Sequence, residues 1–509
     1  MDTYILFSKL TVLLLLNNAV QHARCDKINI IPTAESSCPS AIKGEPCFTL
    51  QQYIANPSLA SNITLELFPG NHHIDSRLLA ANINSFTIRA TKTALVTCNQ
   101  QLQPGDYYWF NFTLVQTVNI CGIVFNGCSI WLSRGPNYNV TKATFVNSSF
   151  VNKTGCTRAV LDIDISVSVW IEQCIFSDNK KGCAAISSQS YGGLTINQTI
   201  FENNEGGAIH NTYGAVSILN SNFRNNRGSN GGAVSLSTGT IAHSYFNGNV
   251  AEGNGGAVWL FNTGIFTITN SHFTNNTAGS SSGHGGAVYG LGGTFIIDNS
   301  YFSNNVAPSI GSNGGAVYAQ GGDITVNDGY FSDNIAVGRG GAIVINRWGK
   351  LTVSNTTFVK NTAIAGGGGA IQSDGQNASI LLLTNNTFSH NTAAYCGVMS
   401  VDDINHYSAN IVGNTFTHNR AVGKVAGNNG GGVICIGNAS ISVLDNNFNH
   451  NSAAGDAGVL RVDECDVTVK RSIFSNNMAG GNGGVFYTCL LYTSPSPRDA
   501  TLSRMPSSA

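Results

Sequence analysis

Phenylalanine recurs through most of this 509-residue chain at intervals of 22 to 32 residues, and from Phe176 onward each has an asparagine three places later. The pairs are Phe176/Asn179, Phe201/Asn204, Phe223/Asn226, Phe246/Asn249, Phe273/Asn276, Phe302/Asn305, Phe331/Asn334, Phe358/Asn361, Phe388/Asn391, Phe416/Asn419, Phe448/Asn451 and Phe474/Asn477. Apolar residues sit seven and five places before the Phe, as in Phe295 and Ile297 before Phe302, and a period of two means strand. After seven of these Asn a loop of variable length leads to Gly-Gly-Ala-Val or Gly-Gly-Ala-Ile, beginning at Gly206, Gly231, Gly255, Gly285, Gly314, Gly340 and Gly368, and variants follow at Gly431-Gly-Val, Ala457-Gly-Val and Gly483-Gly-Val. Two or three short strands between Asn- and Gly-rich turns make one rung of a parallel β-helix. The expected fold is all-β, a single-stranded solenoid of about thirteen or more rungs.

Stacking such rungs about 4.8 Å apart gives each position a physical role. An inward Phe falls on the Phe of the next rung and fills the bore. An Asn at the turn tolerates left-handed backbone and bonds to the Asn above it, giving an amide ladder. Paired Gly permits positive φ and close backbone approach, and Ala is small enough to point inward where the wall turns. The variable loops lie outside the stack, where insertions cost little. Residues 26–140 read as a Cys-rich cap with the first rungs, with Gln51 to Ala55 as a short covering helix, and residues 141–488 as the repeats.

The Phe-x-x-Asn and Gly-Gly-Ala-Ile/Val alternation resembles the repeat of the chlamydial polymorphic outer-membrane protein (Pmp) family, which is also similar to repeats of secreted animal proteins. The resemblance implies a right-handed β-helix of the pectin-lyase-like kind. In the bacterial family both motifs are associated with adhesion to host cells, so it also implies a binding role. The Cys-rich front end is more similar to the animal versions, and no autotransporter barrel follows the repeats.

Only 10% of the residues are charged, against a norm of about 25%, and the net charge is -1, which argues against a nucleic-acid or anionic-membrane partner. The apolar run from Leu10 to Leu16, followed by Asn17 and Asn18 with Ala23 three places before a cleavage point after Cys25, reads as a signal peptide over residues 1–25. Export would make disulfides expected, with Cys38 and Cys47, and Cys121 and Cys128, the nearest pairs. Residues 489–509, from Cys489 through two Ser-Pro pairs to Ala509, resemble the translation of a transposase sequencing adaptor. That resemblance implies that the native C-terminus, and any membrane anchor, lies beyond this sequence.

Sites for chemistry are sparse. Gly283-His284-Gly285 and Asp402-Asp403 would suit a polysaccharide lyase or glycoside hydrolase of the same fold, which is the alternative function. Their order is reversed relative to such hydrolases, no Arg-x-Lys follows, and Asp402, Asp403 and His406 read as a solvated insertion. His72 and His73 are adjacent, so a strand would point them to opposite faces and away from one metal. Asn346-Arg347-Trp348-Gly349-Lys350 reads as a cationic aromatic bump able to touch sugar or protein. No catalytic, cofactor or metal residue is assigned. Sequons stand at Asn62, Asn111, Asn139, Asn147, Asn152, Asn197, Asn275, Asn355, Asn377, Asn385 and Asn438, close to the number expected by chance for some sixty Asn. The expected protein is a secreted or cell-surface adhesion scaffold, without cofactor, that binds an extracellular protein or glycan.

Overall fold

The computed structural model describes residues 27–31, 47–50, 53, 62–75, 78–98, 108–133, 141–156, 159–164, 167–262, 264–401, 407–423 and 431–489. Residues 1–25, expected to be a signal peptide, and Cys38, Asn139, Asp402, Asp403, His406 and residues 490–509 lie outside these. Of the expected covering helix, Tyr53 is helical and buried, as is Leu50 just before it, and Gln51, Gln52, Ile54 and Ala55 lie outside the described residues.

A single rung shows how the sequence makes the fold. Val288–Leu291 forms the Gly-Gly-Ala face, Thr294–Asp298 the middle face and Tyr301–Ser303 the Phe face. Each strand pairs in parallel with its equivalents one rung below and one rung above: Val288 with Val258 and Val317, Phe295 with Phe266 and Ile324, Phe302 with Phe273 and Phe331. A two-residue strand, Val306–Ala307, starts the return loop and pairs with Ile335–Ala336. Strand neighbours are therefore always one rung apart in sequence, and the molecule is a parallel β-helix.

The bore is filled by a column of fourteen Phe rings from Phe125 to Phe474. Successive centroids are 4.5 to 5.1 Å apart and successive planes lie within 12° of parallel. Stacking follows from the strand register, which sets equivalent side chains side by side one rung spacing apart.

Beside the rings runs the amide ladder. Asn276 Nδ2 donates to Asn305 Oδ1 at 2.9 Å and to the Phe246 carbonyl at 3.0 Å, while its backbone N–H donates to the same Oδ1 at 3.1 Å. Lower in the stack Asn204 Nδ2 donates to Asn226 Oδ1 at 2.8 Å, and Asn226 Nδ2 in turn to Asn249 Oδ1 at 3.0 Å. The pattern repeats from Asn179 to Asn477, so in the interior of the ladder each amide uses both donors and both acceptor lone pairs.

The structure corrects the backbone role expected of these residues. Asn204, Asn226 and the other ladder asparagines do not take the left-handed conformation; the residue before each does, as at Asn203, Asn225, Asn275 and Asn304, with φ of 52° to 56°. Asn204 and Asn226 are instead fully buried, with no exposed surface. The physical reason is a division of labour: one residue turns the chain at the surface, and the next is left free to point its amide inward.

A second ladder stands two residues before the Phe. Ser221 N–H donates to Ser244 Oγ, Ser244 N–H to Ser271 Oγ and Ser271 N–H to Ser300 Oγ, each at 3.1 Å. Higher up, the hydroxyls give way to Asn386, Asn414 and Asn446, whose amides bond to one another at 3.0 Å.

Gly286 has no room for a side chain: a Cβ would stand 2.0 Å from the Gly315 carbonyl of the next rung. Gly285 before it has φ +66°, and Ala287 after it is fully buried. This corner is where the wall closes most tightly.

The disulfides correct another sequence expectation. Cys128 bonds to Cys98, not to Cys121, which is a free thiol. Residues 121 and 128 share a rung, whereas Cys98 lies on the rung below with its Cα 5.2 Å away, within bonding range. Cys156–Cys183 and Cys396–Cys435 also link residues a rung apart in sequence, at separations of 27 and 39 residues. Replacing Cys396 and Cys435 by Ser should destabilise the chain by about 2 to 4 kcal/mol. A denaturant midpoint equal to that of the unaltered protein would contradict the staple.

Candidate binding face

One residue per rung points outward from the Gly-Gly-Ala face, four places after the first Gly. Strand register joins these into one column: Asn111, Trp131, Asp162, Ser187, His210, Ser235, Trp259, Tyr289, Tyr318, Val344, Gln372, Ser400, Cys435 and Arg461. Neighbours in the column are separated by 20 or more residues in sequence, yet they touch.

The middle of the column is an aromatic and polar cluster. The Tyr289 and Tyr318 rings stack at 5.3 Å, and His284, from the corner before Gly285, lies 4.5 Å from Tyr318. Tyr318 Oη accepts from Asn346 Nδ2 at 2.7 Å. With the Gln320 amide turned so that its nitrogen donates to Tyr289 Oη at 2.6 Å, its oxygen accepts from Arg347 Nε and Nη2 at 3.2 and 2.7 Å. Trp348 lies across Gly321, where a Cβ would meet the indole at 2.8 Å. Arg347 holds φ 83° and the strand register slips on either side of Trp348, a local departure of the kind often found at functional surfaces. Burial pushes the Tyr289 phenol up to about 12 and raises that of Tyr318 as well.

Two sequence candidates therefore meet at Tyr318: His284 stacks against its ring, and Asn346 of the Asn346-to-Lys350 bump bonds its hydroxyl. His284 Nδ1 accepts the Asn313 N–H at 3.1 Å, which places the neutral ring's proton on Nε2. Burial holds its pKa below the usual histidine value. The unfolded state then binds the proton more readily, so the contribution of His284 is full above pH 6.5 and declines as pH falls toward the depressed folded value. The melting temperature should drop more steeply on acidification than in His284→Asn; parallel pH profiles would contradict this placement.

Other candidates are scattered. His72 is buried and its Nε2 bonds the Phe68 carbonyl, while His73 points outward beside Asp75. Among the described residues no group of three or more His, Cys, Asp or Glu is placed to hold a metal. The sequon residues Asn62, Asn147, Asn152, Asn275, Asn355 and Asn385 are exposed, and Asn197 and Asn438 are half-buried. Asn377 lies within the strand Ile371–Thr384. Asn111 is only 7% exposed, with its Oδ1 bonded to Thr113, so a glycan there would not fit the folded wall.

A second aromatic row, Tyr245, His272, Tyr301 and Tyr330, lies on the outside of the Phe face. From Tyr245 to Tyr301 the rings stack on one another at 4.8 Å, so they present edges to solvent rather than faces. Sequence reasoning missed both rows, although the fixed offset from Gly-Gly or Phe was there to read.

The family model for the right-handed β-helix region matches residues 256–426, and that for the Chlamydia polymorphic membrane protein repeat matches residues 243–260. The chain is a right-handed β-helix protein with Pmp-like repeats. The first match includes the rungs of the aromatic cluster, and the second lies just below them. No curated protein matches the chain. The repeat points to a surface-associated protein, and three disulfides in this β-helix fit an oxidising compartment.

Proposed function

We propose that this β-helix is a secreted or cell-surface adhesion scaffold whose Gly-Gly-Ala face binds an extracellular protein or glycan without chemistry. The observation that carries the reading is the outward column from Ser187 to Tyr318, where aromatic and uncharged polar side chains are held in line by the rigid stack. Aromatic rings with Arg at their edge are the usual anchors of recognition. Three carboxylates on or beside this face are engaged by neighbours: Asp162 with Tyr108, Asp374 with Arg339 and Gln372, and Asp463 with Arg461.

The test is binding of the whole chain to cell surfaces and to an extracellular-protein and glycan array, compared with a Tyr318→Ala/Arg347→Ala double variant. Capture should fall about tenfold or more in the variant, the loss expected for two anchor residues. Equal capture would move the binding surface elsewhere. Release of reducing ends or unsaturated sugars from a polysaccharide panel would replace the reading with the lyase or hydrolase alternative.

A further inference from the structure

Below the aromatic cluster the same face opens into a groove of about 400 Å³, bounded by Ser187, Gln189, His210, Asn230, Ser235 and Trp259 among others. We propose that this groove binds a neutral oligosaccharide, with Trp259 as its stacking platform. The inference rests on the binding-scaffold reading and names its ligand class and its place.

Three features carry it. First, the lining contains no Asp, Glu, Lys or Arg. It offers the hydroxyls of Ser187, Ser229 and Ser235, the amides of Gln189 and Asn230, and the His210 imidazole. Such groups donate to and accept from sugar hydroxyls and give a carboxylate or phosphate no counter-charge. Charged Glu205, Arg227 and Glu252 line an adjoining hollow instead, where Arg227 is paired with Glu252 at 3.4 Å.

Second, the indole itself lines the groove. In the column the position below Trp259 is Ser235, a small residue, which leaves room beneath the ring system. Phe261, which does not line the groove, packs against the indole at 5.0 Å and 37° and stands 6.4 Å from the His210 ring. In the Tyr245 row, by contrast, ring faces are taken up by neighbouring rings, so that row is poorly suited to stacking on a sugar.

Third, the length fits. From Ser187 to Trp259 the column climbs three rung spacings, roughly 14 Å, which accommodates about three sugar rings laid along the axis. The walls are preformed by strands and by the Gly-Gly corners, so binding orders little of the protein.

Calorimetry on the full chain with malto-, cello-, xylo- and mannotriose, and with trigalacturonate as the acidic control, tests this. At least one neutral sugar should bind, and Trp259→Ala should weaken it about tenfold or more. Ser235→Tyr should abolish binding by filling the groove. That variant keeps the fold testable, because Tyr already occupies the equivalent position on two rungs above, at Tyr289 and Tyr318. The proposal fails if no neutral trisaccharide binds, if both variants bind as the native chain does, or if trigalacturonate binds equally well. Array capture that survives Ser235→Tyr but is lost in the Tyr318/Arg347 variant would leave the scaffold reading standing while this inference falls.

Discussion

Asn305→Ala should be among the most damaging single changes in the chain. The side chain accepts two bonds at Oδ1 from Asn276, and its Nδ2 donates to Asn334 Oδ1 at 2.9 Å and to the Phe273 carbonyl at 2.9 Å. Truncation orphans donors on the rung below and acceptors on both sides, in a place with no access to water. Each buried polar group left without a partner costs about 1 to 3 kcal/mol, so the total is on the order of 3 to 6 kcal/mol. The solenoid need not unfold as a whole. Because each rung touches only its neighbours, the cost concentrates at one joint. Hydrogen exchange should therefore show lost protection around residues 273–334 before the ends respond. Uniform protection with an unchanged melting temperature would mean that the ladder adds little.

Phe302→Ala removes a ring that is fully buried between Phe273 and Phe331, each 4.8 Å away. The expected loss is about 3 to 5 kcal/mol, because the strands on either side are pinned by their ladders and cannot collapse into the space. Leu at this position should recover part of the loss by restoring volume without the stack. An Ala variant with native stability would show that the bore tolerates gaps, contrary to the close packing of the column.

Phe302, Asn305 and Gly286 were legible in the sequence because each faces its own copy one rung away, and a position that must pack against itself repeats itself. The repeat told less about backbone: Asn203 and Asn204 are adjacent and identical, and only the fold separates the one that turns from the one that bonds. The Ser221-to-Ser300 hydroxyl ladder obeys the same self-packing logic, but Ser is common at turns and the exchange to Asn386 hides the continuity. The Gly-Gly-Ala face was harder to read. His284, Tyr318 and Arg347 come from three different rungs, and the outward side chain of each rung is free to differ from the next. The disulfides failed for a related reason: Cys98 and Cys128 are 30 residues apart in sequence, while the nearer Cys121 shares a rung with Cys128. Distance along such a chain is measured in turns, and variable loops make the count in residues unreliable.

Those variable loops have one more consequence. Because Phe302 meets Phe331 in the same way that Phe273 meets Phe302, the body of the rod has a repeat unit but no preferred length. Gaining or losing a whole turn would leave every joint intact and shift the upper part of the column along the axis by one step of about 4.8 Å. The separation between the groove at Trp259 and any feature nearer the top, such as Arg461, is thus a whole number of steps. The molecule is graduated like a ruler, and reach can change without any change in chemistry.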